Sequence, residues 1–101
     1  MDAVIKEVMR LFAPAPFGMR TCTETTEVAE GLTIEKGTGV MWSNKSFHYS
    51  PDLYDNPEKF DPSRWEGNES ITLQDDAWLA FGQGPRSCPG IEFDQDISKF
   101  I

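Results

Sequence analysis

The sequence predicts a small α+β chain, and three observations carry that reading. Apolar residues near the start recur at helical spacing. Short segments bounded by threonine and glycine then suit strands and turns. A glycine-proline loop near the end leads into a second helical stretch. At 101 residues the chain has room for one small domain and not two, so residues 1–101 read as a single region.

The first helix is expected over Ala3 to Phe12. Val4, Ile5, Val8, Met9, Leu11 and Phe12 make a broad apolar face, and Lys6, Glu7 and Arg10 fall on the remainder. Pro14 and Pro16 stop it, because neither donates a backbone hydrogen bond and each disfavours the α region before it. Arg20 to Thr26 is threonine-rich and suits an extended segment. Gly31, Gly37 and Gly39 punctuate turns around Leu32-Thr33-Ile34, and Gly39 to Trp42 reads as a further strand leading into Ser43-Asn44. Pro51 to Asn68 is rich in Pro, Asp, Asn and aromatic residues, which favour irregular turns. Ala77 to Phe81 is apolar. The stretch from Pro89 to Ile101 begins a helix of about three turns, with Pro89 in its first turn.

Composition removes several function classes. Hydrophobic residues at 39% and charged residues at 26% are ordinary for a globular protein and argue against wholesale disorder. A formal charge of -8 argues against a nucleic-acid partner. Two cysteines, Cys22 and Cys88, make neither a disulfide framework nor a four-cysteine metal site, and the single histidine rules out an all-histidine site. His48 reads as an ordinary surface or core histidine, since no neighbour has metal-ligand spacing, and Cys22 reads as structural. No apolar run approaches the twenty or so residues of a membrane helix, so no membrane segment is expected in this chain. The charged residues Asp2, Lys6, Glu7 and Arg10 do not fit a secretory signal.

The informative segment is Phe81-Gly82-Gln83-Gly84-Pro85-Arg86-Ser87-Cys88-Pro89-Gly90, a pattern F-x-x-G-x-R-x-C-x-G. Five fixed positions arise by chance in roughly 3 of 10⁷ windows of equally common residues. Gly84 permits a tight turn under a flat ligand. Cys88 stands just before the expected helix, where the helix dipole and free amides favour a thiolate. Gly90 removes a side chain where the helix must approach a planar group. Arg86 offers a cation to an anionic edge, and Phe81 packs against a ring and keeps water from the sulfur. Together these describe one axial thiolate under a haem. Gly82 and Gly84 do not make a phosphate loop, because no Gly-Lys-Ser/Thr follows.

At these residues the chain resembles the cytochrome P-450 family of haem-thiolate monooxygenases. Two further segments agree. Glu7-Val8-Met9-Arg10 matches the family's E-x-x-R, and Phe60-Asp61-Pro62-Ser63-Arg64-Trp65 matches its F-x-P-x-R-F/W segment. The resemblance implies that Cys88 is the proximal iron ligand of haem b. It implies that Glu7, Arg10 and Arg64 form a charge triad locking the meander to the first helix. It also implies that Arg20 is a second propionate-binding arginine and that Phe17, Gly18 and Met19 line a substrate pocket. Asp94 and Ile97 stand where members usually carry a small residue and a glutamate.

The fold implied is the C-terminal portion of that family's fold: E-x-x-R helix, short strands, meander, cysteine loop and the start of the next helix. Most of the fold would precede this portion, which makes it an incomplete domain. The implied activity inserts one oxygen atom of O2 into a small apolar organic substrate, with electrons from a reductase or ferredoxin. The oxygen-side proton delivery and most substrate contacts would lie on other chain, and the isolated 101 residues are expected to be inactive. The alternative is a truncated or relic fragment that binds haem at most. The compartment stays open. The resemblance implies the endoplasmic reticulum membrane for a full-length eukaryotic member.

Overall fold

The computed structural model describes residues 2–66, 77–91, 93, 96 and 97. Helix α1 runs Asp2–Leu11, one residue earlier at each end than its apolar spacing predicts. Its two faces differ sharply in exposure. Glu7 and Arg10 are 0% exposed, whereas Val4, Val8 and Phe12 are 46%, 42% and 73% exposed. The apolar stripe points outward, and the charged pair points into the body. The physical reason is hydrogen-bonding demand. Loop carbonyls, a loop amide and an indole converge on the Glu7–Arg10 pair and enclose it. Among the described residues the buried hydrophobics are Tyr54, Ala77 and Ala80, while Arg10, Tyr54, His48 and Glu7 are the largest fully buried side chains. The centre of this structure is therefore a polar knot with an aromatic rim.

Four short strands follow. β1 (Phe17–Thr21) pairs antiparallel with β4 (Gly39–Ser43), and β2 (Thr26–Ala29) pairs antiparallel with β3 (Leu32–Ile34). The extended segment expected over Arg20 to Thr26 is thus divided. β1 starts at Phe17, directly after Pro16, and the chain leaves it at Cys22, whose amide donates to the Thr38 carbonyl at 2.9 Å. The Cys22 thiol donates to the Glu24 carbonyl at 2.9 Å, in keeping with a structural cysteine.

Gly18 faces Trp42 across the β1–β4 pair, and a Cβ added at Gly18 would overlap the indole ring. The indole Nε1 donates to Asn44 Oδ1 at 3.0 Å, and Asn44 Nδ2 donates to the Ala15 carbonyl at 2.9 Å. The ring is therefore held by an amide that is itself anchored to the backbone. Gly18→Ala is expected to destabilise the chain by about 1–3 kcal/mol through overpacking. Adding Trp42→Ala should abolish most of that increment, because the clash disappears with the ring. Urea melts of the two single variants and the double variant measure the coupling.

Helix α2 (Asn44–His48) follows β4 directly, where the sequence predicts no helix. Ser43 caps it, its Oγ accepting from the Ser46 amide at 3.1 Å. The next stretch is irregular as expected, closing in a 3₁₀ turn at Pro62–Trp65 whose cap Asp61 accepts from the Ser63 amide. After Pro89 the backbone is helical at positions 91, 93, 96 and 97. Asp94 lies outside the described residues. Among those described, no helix is long and apolar enough to cross a membrane.

Candidate functional site

The Glu7 carboxylate accepts five hydrogen bonds. Oε1 takes Arg10 Nη2 at 2.8 Å, the Asp61 amide at 3.0 Å and Arg64 Nε at 3.3 Å. Oε2 takes Arg10 Nε at 2.9 Å and the Trp65 indole at 3.0 Å. Position i to i+3 on α1 brings the Glu7 and Arg10 side chains together, and the meander supplies the remaining donors. Burial pushes the Glu7 carboxyl up, but the bonds from Arg10, Asp61 and Trp65 outweigh it and hold the carboxyl below its ordinary value. Arg10 spends its other donors on the carbonyls of His48 (2.6 Å), Pro57 (2.8 Å) and Lys59 (3.3 Å). Arg10 and Arg64, read as members of a charge triad, thus both donate to the carboxylate of its third member, Glu7. Two arginines around one carboxylate are costly to bury unless their donors are used, and the loop carbonyls take the remaining donors of Arg10.

His48 is fully buried beside this knot. Its Nδ1 lies 2.9 Å from the Arg10 carbonyl, and its Nε2 accepts from the Leu79 amide at 2.9 Å. Sequence reasoning left it as an ordinary histidine. Its partners are 38 and 31 residues away, so no local spacing announces them.

From Leu79 the chain enters the cysteine loop. The Gly82 amide donates to the Leu79 carbonyl at 3.1 Å, and the Cys88 amide donates to the Phe81 carbonyl at 2.8 Å. Gly82 and Gly84 take φ of 70° and 73°, the left-handed region that a side chain resists. A 3₁₀ turn at Gly84–Arg86 completes the loop. Phe81 meets Trp78 edge-on at 5.7 Å, Trp78 meets Trp65 edge-on at 6.3 Å and Trp65 lies tilted to Tyr54 at 6.4 Å, so an aromatic row connects the loop to the knot. Lys6 Nζ sits over Trp65 and Trp78, at 5.5 and 5.9 Å from the ring centroids.

Cys88 is exposed and opens on a cleft of about 370 Å³. Phe17, Gly18, Arg20, Trp42, Phe81 and Arg86 line the same cleft. Arg20 lies over the Trp42 ring at 5.5 Å, and its guanidinium reaches the Arg86 carbonyl at 3.5 Å. Of the other residues singled out by sequence, Met19 is exposed and is not part of this lining. Gly84 and Gly90 also stand outside it, and a Cβ at Gly90 would sit 3.7 Å from the Cys88 sulfur. Among the described residues no three His, Cys, Asp or Glu side chains gather as a metal site. The cleft offers a single thiol, two guanidiniums and aromatic walls.

The chain matches the family model described as "Cytochrome P450" over residues 1–95. It is 38% identical over 87 residues to a cyclooctat-9-en-7-ol 5-monooxygenase of Streptomyces melanosporofaciens, covering 86% of this chain and 19% of that one. It is 42% identical over 90 residues to a protopanaxadiol 6-hydroxylase of Panax ginseng, covering 89% and 18%. It is 42% identical over 89 residues to a beta-amyrin 28-monooxygenase of Saponaria officinalis, covering 88% and 17%. The chain spans less than a fifth of the length of these curated relatives. With one model matching nearly its whole length, the chain belongs to the cytochrome P-450 family.

Proposed function

We propose that residues 1–101 are the C-terminal, cysteine-loop portion of a haem-thiolate monooxygenase, and that the cleft beside Cys88 is its proximal haem site. The observation that carries this reading is that the Cys88 thiol, Arg20 and Arg86 line one cleft with three aromatic rings. Iron protoporphyrin IX is flat, apolar on its faces and anionic at one edge. It asks for a soft donor to iron, cations for its propionates and rings against its faces, and the residues present fit it.

Cys88 would hold the iron, with Arg20 and Arg86 on the propionates. Phe81 contributes a wall of the cleft, and Gly84 supplies the turn that presents the loop. Gly90 lies beside the sulfur, where an added Cβ would stand 3.7 Å from it, in ordinary contact. Glu7, Arg10 and Arg64 hold the meander on α1 and take no part in the chemistry. When bound, the haem supplies oxygen activation, one atom of O2 entering an apolar organic substrate and the other leaving as water, with electrons from a reductase or ferredoxin. The monooxygenase and hydroxylase names of the relatives support that activity for the whole protein.

A second reading, haem binding without catalysis, is favoured for the isolated chain by the openness of Cys88 to solvent. Both readings require the thiolate. The haem-reconstituted, reduced chain is expected to give a long-wavelength Soret band with carbon monoxide, and Cys88→Ser is expected to lose it. A band that survives Cys88→Ser would overturn the ligand assignment. Turnover with a reductase and NADPH by the 101-residue chain would overturn the second reading.

A further inference from the structure

We infer that His48 is the positioning residue of the cysteine loop: as a neutral imidazole carrying its proton on Nδ1, it ties the backbone leading into Cys88 to the end of α1. The tautomer follows from the partners. A carbonyl only accepts, so the nitrogen facing the Arg10 carbonyl at 2.9 Å carries the hydrogen. An amide N–H only donates, so the nitrogen facing Leu79 at 2.9 Å carries the lone pair. The ring is fully buried, so water does not compete for either bond. The link is reciprocal, because the Arg10 guanidinium donates to the His48 carbonyl at 2.6 Å. Helix α1 and α2 are thereby locked through two bonds in opposite directions.

Leu79 passes this lock to the loop. Its carbonyl accepts from the Gly82 amide, and the Phe81 carbonyl accepts from the Cys88 amide. The aromatic row from Phe81 to Tyr54 also joins the loop to the knot, but ring contacts fix distance more than backbone direction. The His48–Leu79 bond is the directional one. The inference deepens the reading of Cys88 as a ligand and rests on it only for what the loop carries. The tether itself is measurable without haem.

The test uses the 101-residue chain, free of haem. Nitrogen-15 NMR of wild-type His48 is expected to place the proton on Nδ1, and a proton on Nε2 would overturn the inference with no variant needed. Two substitutions then separate the two bonds. The amide of His48→Asn reaches the Nδ1 position and leaves Leu79 unpaired. The longer amide of His48→Gln reaches the Nε2 position and accepts from Leu79. In His48→Asn the Leu79 and Cys88 amides should exchange with solvent about tenfold faster, the loss expected of one buried hydrogen bond. In His48→Gln both should stay within about threefold of wild type. Unchanged Leu79 exchange in His48→Asn would overturn the inference. So would faster Leu79 exchange with Cys88 unmoved, or a His48→Gln chain as fast as His48→Asn. A missing Soret band alongside the expected exchange pattern would count against the haem reading alone.

Discussion

Glu7→Gln should destabilise the chain by about 3–5 kcal/mol, the usual cost of breaking a buried ion pair from one side. The carboxylate accepts five donors on two oxygens, and a glutamine amide turns one of those oxygens into a donor. Whichever way the amide points, an N–H then faces an Arg10 N–H. The neutral side chain also leaves the buried Arg10 guanidinium without a counter-charge. Against the roughly 5–15 kcal/mol that small domains possess, that is a large fraction. Urea melts followed by tryptophan fluorescence give the number, and Trp65, bonded to Glu7, reports on the knot itself. Lys59→Ala is the control. It removes a pair between Asp61 and an exposed lysine, which solvent screens, so the midpoint should hardly move. Equal losses in the two variants would mean that the buried knot is no more stabilising than a surface pair.

The site was more legible in the sequence than the packing. F-x-x-G-x-R-x-C-x-G, E-x-x-R and the Phe60–Trp65 segment are local strings, and each carries its own chemistry. The structure brings Arg20, Phe81, Arg86 and Cys88 to one cleft and Glu7, Arg10 and Arg64 to one carboxylate. What spacing does not show is which face turns inward. Helical periodicity identifies two faces of α1. Five donors for one carboxylate bury the charged one, and Val4, Val8 and Phe12 face outward. The helix over Asn44–His48 was missed because Ser43 serves equally as a strand end and as a helix cap. His48 was missed because its role is made entirely by chain folding. A histidine bonded to two distant backbone groups has no motif. The only sequence signal is negative: a lone histidine among aromatic residues with no ligand partner.

Acid should weaken this fold in two separable stages. Burial is the main reason His48 is held below its ordinary value. The bond to the Arg10 carbonyl opposes the shift and the Arg10 charge adds to it. The groups around the ring are Arg10 and, behind it, Glu7 from α1, with Lys45 on its own helix lying against Tyr49. From the cysteine loop the contact is the uncharged Leu79 amide. In the unfolded chain His48 takes a proton at about pH 6.5. Below that pH the unfolded state binds more protons than the folded one, so stability falls with falling pH until the lowered folded value is reached.

The second stage belongs to the carboxylates. Glu7 protonates at about pH 4.3 when unfolded and lower when folded, so its contribution is lost as pH falls through the folded value. Asp61, lowered to about 2 by Lys59 and then Ser63, loses its contribution as pH falls toward that value. The urea midpoint of the wild-type chain should therefore decline already between about pH 6.5 and pH 5, before the lowered Glu7 and Asp61 carboxyls titrate. His48→Gln, which keeps a partner for Leu79 and cannot ionise, should be flat across that interval and then follow wild type below it. A wild-type midpoint that is level down to about pH 5 would mean that His48 accepts its proton inside the fold as readily as outside. The Leu79 tether would then have to survive a charged ring, which has no lone pair to offer it.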